Sequence, residues 1–170
     1  MKSSVRYMAY GALIAAMYAA LTHLQNILLP GSATWAIQFR ASEALCVLAF
    51  FTPAAIPGLT VGCFLFNLTF AGALPLDAPI GSLATLLAAW GMYLARGLTV
   101  KGLPLLGLCL PALTNAVLVG WELTAYVGGG FWMNAAYVAI GEGAVLLTLG
   151  GLLYAVLKKH RLGERIFAES

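Results

Sequence analysis

Two long stretches without a formally charged residue constrain the fold of this chain more than any other feature. Tyr7–Phe39 and Ala44–Leu76 each contain 33 residues. A helix needs about 20 apolar residues to cross a bilayer, so each stretch can hold one membrane span with a loop, or two short spans. The whole chain is 62% hydrophobic and only 9% charged, whereas a soluble domain is about 25% charged. We therefore predict a polytopic, all-α membrane protein.

Basic residues indicate the orientation of the predicted helices. All Lys and Arg residues except Arg40 precede the first apolar run, flank one loop or follow the last run: Lys2, Arg6, Arg96, Lys101, Lys158, Lys159, Arg161 and Arg165. Basic residues favour the cytoplasmic side, and only an even number of spans puts both ends there. We predict one domain, residues 1–170, with both termini cytoplasmic and six transmembrane helices at about 6–28, 40–55, 59–71, 80–96, 103–122 and 133–157.

Sequence motifs for catalysis and metal binding are missing. The chain has no GxxxxGK[ST], HExxH or GxSxG pattern, and the odd set of Cys46, Cys63 and Cys109 lacks CxxC spacing. The sequence therefore predicts that the chain has no catalytic residue, cofactor or metal. We expect that it is not itself an enzyme. The basic tail is typical of a segment resting on anionic lipid rather than of a nucleic-acid site.

Polar residues inside the apolar runs concentrate toward one side of the predicted membrane. Depths assigned at about 1.5 Å per residue put them in the outer half of the helices or in the outer loops. An ionisable group in lipid is costly and usually functional, and a proton or ion pathway would need polar groups across the full thickness. We predict a substrate-binding cup that opens outward, formed by Trp35, Gln38, Arg40, Glu43, Asn67, Asn115, Glu122, Tyr126, Trp132, Asn134, Tyr137 and Glu142.

Structural roles are open for several of these residues. Arg40 and Glu43 are three residues apart, so they could pair to brace the outer end of a helix or contact substrate. Glu142 could be a neutral acid hydrogen-bonded between helices. Tyr126 and Trp132 could belong to the aromatic belt at the membrane surface rather than to a ligand site.

Small residues form a regular pattern on the first predicted helix. Ala12, Ala16 and Ala20 repeat every four residues, a spacing that lets another helix approach closely in lipid. The pattern predicts either packing within the bundle or docking to a separate membrane protein.

Three segments resemble the QueT family: Gln38–Leu45, Phe50–Leu59 and Gly81–Ala88. The family comprises substrate-capturing S components of energy-coupling-factor (ECF) transporters, assigned to queuosine precursors. The resemblance implies six helices, a site near the outer face formed by helices 4–6 and the first outer loop, and partnership with a membrane T component and two cytoplasmic ATPases. It also implies that Ala12 and Ala16, extended to Ala20, contact the T component.

A 7-deazaguanine ligand such as preQ1, preQ0 or queuine would account for the carboxylates. Its guanine-like edge carries adjacent N–H and NH₂ donors that Glu122 or Glu142 could accept in bidentate fashion. Asn115 or Asn134 could contact the carbonyl, and an aromatic side chain could stack on the ring. The alternatives are an S component for another vitamin, a stand-alone transporter or channel for a small polar solute, and a membrane enzyme or helper subunit.

Overall fold

Helices form the whole regular structure in the computed structural model, which describes residues 3–32 and 37–167; no strand occurs within these ranges. The helices are α1 (Ser3–Leu28), a 3₁₀ helix (Ala41–Phe50), α2 (Ala55–Thr69), α3 (Asp77–Leu94), α4 (Leu105–Tyr126), α5 (Phe131–Val145), α6 (Gly151–Lys159) and α7 (Leu162–Phe167). A short 3₁₀ turn, Ala95–Gly97, extends α3, and a π-helical turn, Leu146–Gly150, joins α5 to α6.

Four helices are long and apolar enough to cross a membrane. They are Ser4–Leu28, Asp77–Gly97, Leu105–Tyr126 and Phe131–Lys159, and the shortest has 21 residues. At 1.5 Å per residue that helix is about 31 Å long, close to the thickness of a bilayer core. The all-α membrane fold is confirmed at this level. The helices Ala41–Phe50 and Ala55–Thr69 are apolar but shorter, so the count of six spans stays a prediction.

The segment predicted as a helix at 40–55 differs most from expectation. It is a 3₁₀ helix of ten residues, Ala41–Phe50, in which residues 42–50 are all buried. It contacts α1, α2, α3, α4, α5 and α6 and therefore runs through the middle of the bundle. A 3₁₀ helix rises about 2.0 Å per residue, so ten residues extend about 20 Å, against about 15 Å for an α-helix.

Two ends of the bundle can be distinguished by their contents. We name the end with Ser3 and Lys159 the termini end, and the end with segments 29–32, 37–40, 70–76 and 127–130 the loop end. The larger apolar core includes Leu59, Met92, Leu108 and Tyr154 and fills the termini half. A smaller apolar cluster of Val119, Leu123 and Val138 lies toward the loop end. Glu122 lies at the level of this cluster, and the other buried charged residues lie between the two.

Glycines allow α1 and α2 to approach closely. A Cβ atom on Gly58 would lie 2.7 Å from the Gly11 carbonyl oxygen, and one on Gly62 would lie 2.8 Å from the Ala15 carbonyl oxygen. Any larger residue would push the helices apart. Small residues are the usual means of close helix packing in lipid.

The basic C-terminal tail contains a helix that was not predicted. The Tyr10 hydroxyl on α1 donates to the Ile166 carbonyl of α7 at 2.6 Å, and the Tyr10 and Phe167 rings meet edge to face at 5.1 Å. Gly163 packs directly on the Phe51 ring. Helix α7 therefore lies against the termini end of α1 and against the turn that follows the 3₁₀ helix.

Candidate functional site

Buried polar side chains from several elements meet in the loop half and middle of the bundle. Arg40 precedes the 3₁₀ helix, Glu43 lies in its first turn, Asn115 and Glu122 lie on α4, and Glu142 lies on α5. All five are buried. The fold thus brings together residues that are far apart in the chain; Arg40 and Glu142 are separated by 102 positions.

Gln25, near the end of α1, holds the segment that carries Arg40. Its side-chain nitrogen donates to the Phe39 carbonyl and to Ser32 Oγ at 2.9 Å, and its oxygen accepts the Ala41 N–H at 2.7 Å. One amide side chain therefore satisfies backbone groups on both sides of Arg40. The entrance to the 3₁₀ helix is fixed by these bonds rather than by a capping side chain.

Glycine permits the close approach of α5 to the same segment. A Cβ atom on Gly141 would lie 2.5 Å from the carbonyl oxygen of Gln38 and 2.9 Å from its backbone nitrogen. Any other residue at 141 would displace this segment. Glu142, the next residue, is thereby brought beside the start of the 3₁₀ helix.

The deeper part of the polar cluster is a network of satisfied hydrogen bonds. Both carboxylate oxygens of Glu43 are engaged: one accepts the Tyr18 hydroxyl, and the other accepts the Cys46 thiol at 3.2 Å. Glu142 Oε2 accepts Asn115 Nδ2 at 2.7 Å. Arg40 interacts electrostatically with both carboxylates. We refer to Tyr18, Glu43, Cys46, Asn115 and Glu142 as the inner network.

Nearer the loop end, several buried acceptors lack donors. Among the described residues, no donor reaches either oxygen of the fully buried Glu122 or the side-chain oxygen of Gln38. Asp77 and the backbone of Leu76 lie within electrostatic reach of Glu122, but neither makes a hydrogen bond of acceptable geometry with it. Leaving a buried polar group unsatisfied costs about 1–3 kcal/mol, and more for a charged one. Of these carboxylates, Glu122 would therefore gain the most from hydrogen bonds donated by a ligand.

Asp77 begins α3 and is held by two hydrogen bonds. Its Oδ2 accepts the Leu74 N–H at 2.6 Å, and its carbonyl accepts Asn67 Nδ2 at 2.9 Å. Asn67 fits there because Gly81 has no Cβ, which would lie 2.7 Å from the amide nitrogen. Asn67, predicted to bind substrate, thus positions Asp77 in this structure.

A small cavity opens at this level. It has a volume of about 110 Å³ and is lined by Gln38, Arg40, Gly72, Leu74, Asp77, Leu123 and Val127. Its wall combines one guanidinium, one carboxylate and one amide with apolar side chains. This mixture is typical of a small-molecule site, in which a few polar groups orient a ligand on an apolar wall.

The remaining predicted site residues lie outside this cluster or at its edge. Asn134 is buried and donates to Thr124 Oγ1 and to the Gly128 carbonyl, both at 3.0 Å, so it braces the turn between α4 and α5. Tyr137 is half-buried. Tyr126 is 47% exposed and Trp132 is 83% exposed, and the Trp132 ring packs on Phe131. Trp35 lies outside the described residues.

Two residues at the site were missed by the sequence prediction. Tyr18 stands in an apolar helix four residues before Thr22, and both are buried; Thr22 Oγ1 also donates to Ser42 Oγ at 2.6 Å. This polar pair was the available signal that α1 faces the site. Asp77 precedes the helix predicted at 80–96 and was not among the predicted site residues, and only the packing of α3 against α4 brings it near Glu122.

The small-residue face of α1 is open in this structure. Ala12, Ala16 and Ala20 are exposed, whereas Ala15 on the neighbouring side of the helix is buried against Gly62. An apolar cavity of about 240 Å³ between α1 and α2 borders this face at Gly11, Ala12, Gly58 and Val61. Packing of Ala12, Ala16 and Ala20 within the bundle is therefore absent from the described structure.

Comparison with known proteins gives one match. The chain belongs to the QueT transporter family, whose profile matches residues 8–159. No individual curated protein and no solved structure matches it significantly. Family membership implies a role in transport rather than catalysis, and together with the four apolar helices it indicates a membrane protein.

Proposed function

We propose that this protein is the substrate-capturing S component of an ECF-type ABC importer in the bacterial cytoplasmic membrane. It binds a 7-deazaguanine precursor of queuosine at the loop end, which faces outward. The two short helices also cross the bilayer, which gives six spans and two cytoplasmic termini. A T component and two cytoplasmic ATPases complete the importer and supply the energy.

One observation supports a capture subunit above all: the buried polar groups are confined to one part of the bundle. Of the buried polar residues in the described ranges, Thr52 lies toward the termini end, and the others lie in the loop half or near the middle. The termini half is filled by the large apolar core. A polar route through the molecule would need groups in both halves, so the chain is built to hold a solute rather than to conduct it.

The chemistry of the buried groups favours a flat, donor-rich ligand. Glu122 offers two free acceptors, which match the adjacent N–H and NH₂ groups of a guanine-like edge. Such charge-assisted, paired hydrogen bonds are among the strongest that proteins form. Arg40 lines the cavity and can face the base carbonyl from the opposite side.

The open face of α1 supports the partner assignment. Three alanines at a spacing of four residues are exposed together on α1, so the described bundle leaves this face of the helix uncovered. In lipid, such a face associates with another helix by close packing rather than by a hydrophobic effect. The T component would supply that helix.

Calorimetry tests the ligand assignment directly. Purified protein should bind at least one of preQ1, preQ0 and queuine, and should bind guanine, thiamine and riboflavin more weakly. Uptake into liposomes should require the T component and both ATPases. Uptake by this chain alone would instead support a stand-alone transporter, and tight binding of thiamine or riboflavin would indicate an S component for another vitamin.

A further inference from the structure

We propose that Asp77 and Gln38, which line the cavity, form an acceptor subsite that selects ligands carrying a protonated amine, while Glu122 accepts from the base edge. The inference rests on the proposed function, because it describes how the same site distinguishes one 7-deazaguanine from another. It assigns a specificity role to Asp77, which was not among the predicted site residues. Glu43 and Glu142 are assigned to the support of the site rather than to the ligand.

The first argument comes from the distribution of satisfied acceptors. Glu43 has hydrogen-bond donors on both oxygens, and Glu142 has one from Asn115. Within the described residues, Glu122 and the side-chain oxygen of Gln38 have none. Buried polar groups in folded proteins nearly always have partners. Gln38 lines the cavity, and Glu122 is an electrostatic neighbour of Asp77, which also lines it. The atoms without partners are acceptors, so the missing partner is a donor.

The second argument is the charge around the cavity. Arg40 is the cation that faces this region, and it interacts electrostatically with Glu43, Glu142 and Glu122. Asp77 lines the cavity and is an electrostatic neighbour of Glu122. Asp77 therefore lies on the cavity wall with a second carboxyl group, Glu122, as its neighbour. A bound ammonium group would offset negative charge at this wall, whereas a neutral substituent would not.

The third argument is that the subsite is held in place by its surroundings. The Leu74 N–H and the Asn67 amide fix Asp77, and Gly141 fixes the backbone of Gln38 against α5. A ligand that enters the cavity would therefore meet acceptors whose positions are already fixed. Preorganised polar groups discriminate strongly, because a ligand lacking the matching group leaves them unpaired.

The test compares two ligands that differ in one substituent. preQ1 carries an aminomethyl group, protonated at neutral pH, and preQ0 carries a nitrile at the same position. We expect wild-type protein to bind preQ1 about 10- to 100-fold more tightly than preQ0, the range for a hydrogen bond to a charged group. A neutral control, 7-methyl-7-deazaguanine, should behave like preQ0.

Variants then assign the discrimination to residues. Asp77→Asn and Glu122→Gln should lower the affinity for preQ1 by at least about tenfold. Asp77→Asn should change the affinity for preQ0 by less than about threefold, so that the preference shrinks. Lys159→Gln, which removes a charge from an exposed side chain at the termini end, should leave both affinities unchanged. Thermal melting of each variant in detergent separates loss of binding from loss of folding.

The outcomes distinguish the two proposals. Absence of binding by every 7-deazaguanine would contradict the proposed function itself. Equal wild-type affinity for preQ1, preQ0 and the methyl control would overturn the acceptor subsite while leaving the proposed function intact. This wild-type comparison needs no variant, so the inference stays testable even if Asp77→Asn fails to fold. A loss of equal size for preQ1 and preQ0 in Asp77→Asn would likewise overturn the role of Asp77.

Discussion

The two halves of this bundle are stabilised in different ways. The termini half is filled by apolar side chains such as Leu59, Met92 and Leu108, which gain from dense packing with no directional requirement. The loop half buries Arg40, Glu43, Glu122 and Glu142, whose cost is offset only by specific partners. The termini half should therefore tolerate substitutions that conserve side-chain volume. The loop half should lose stability when a single hydrogen-bonding atom is removed.

The largest expected effect on stability lies in the termini half. Leu59→Ala on α2 should destabilise the protein by about 2–5 kcal/mol, because it opens a cavity at a fully buried position. Leu68→Ala on the same helix is the matched control, since Leu68 is 63% exposed. Thermal melting in detergent measures both. Equal losses would show that the termini half is not a packed core.

A smaller effect is expected in the inner network. Tyr18→Phe removes the hydroxyl that donates to Glu43 and should cost about 1–3 kcal/mol, because a buried carboxylate oxygen loses its donor. Tyr10→Phe removes an exposed hydrogen bond to Ile166 and should cost less. Melting temperatures of the two variants test the difference. If Tyr18→Phe were as stable as the wild type, the inner network would not be a structural element.

Substitutions on the small-residue face of α1 should affect assembly with the T component and not the stability of the isolated chain. Ala16→Leu should reduce the amount of complex formed with the T component by at least about tenfold, because overpacking of a close helix contact costs about 1–3 kcal/mol. The melting temperature of the isolated chain should stay nearly unchanged. Ala136→Leu, at another exposed alanine on α5, is the control. Co-purification with the partners provides the measurement, and normal assembly of Ala16→Leu would reject this docking face.

The smallest effect is expected at the exposed aromatic residue of α5. Trp132→Ala should change ligand affinity by less than about 0.5 kcal/mol, as surface substitutions usually do, because Trp132 is 83% exposed and packs on Phe131. Calorimetry with the best ligand tests this. A tenfold loss would instead return Trp132 to the ligand site and support the original sequence prediction.

Much of the fold could be predicted because apolar runs and charges carry clear signals in lipid. Helix α1 was predicted at 6–28 and is found at Ser3–Leu28. The segment at 40–55 was harder, since every position from 42 to 50 is buried and the run carries no exposed stripe. Without such a stripe, the pattern of side chains cannot distinguish a 3₁₀ helix from an α-helix.

In the site, too, the sequence indicated the polar residues but not their hydrogen-bond partners. Charged and amide residues in apolar runs stand out in a sequence, and Arg40, Glu43, Asn115, Glu122 and Glu142 are indeed brought close together in the structure. Whether each is satisfied depends on neighbours that are distant in the chain. Tyr18 supplies a donor to Glu43 from 25 positions away, and nothing local to Glu43 could have indicated it.

Residue types alone indicate a helical, apolar protein with its costly polar groups gathered on one side, because the cost of a charge in lipid depends on the type of residue. Which carboxylates are satisfied, and that Asp77 reaches the site, follow only from the packing of helices that are distant in the chain. Hydrogen bonding is a matter of distance and direction between atoms, and these are set only when the helices pack together.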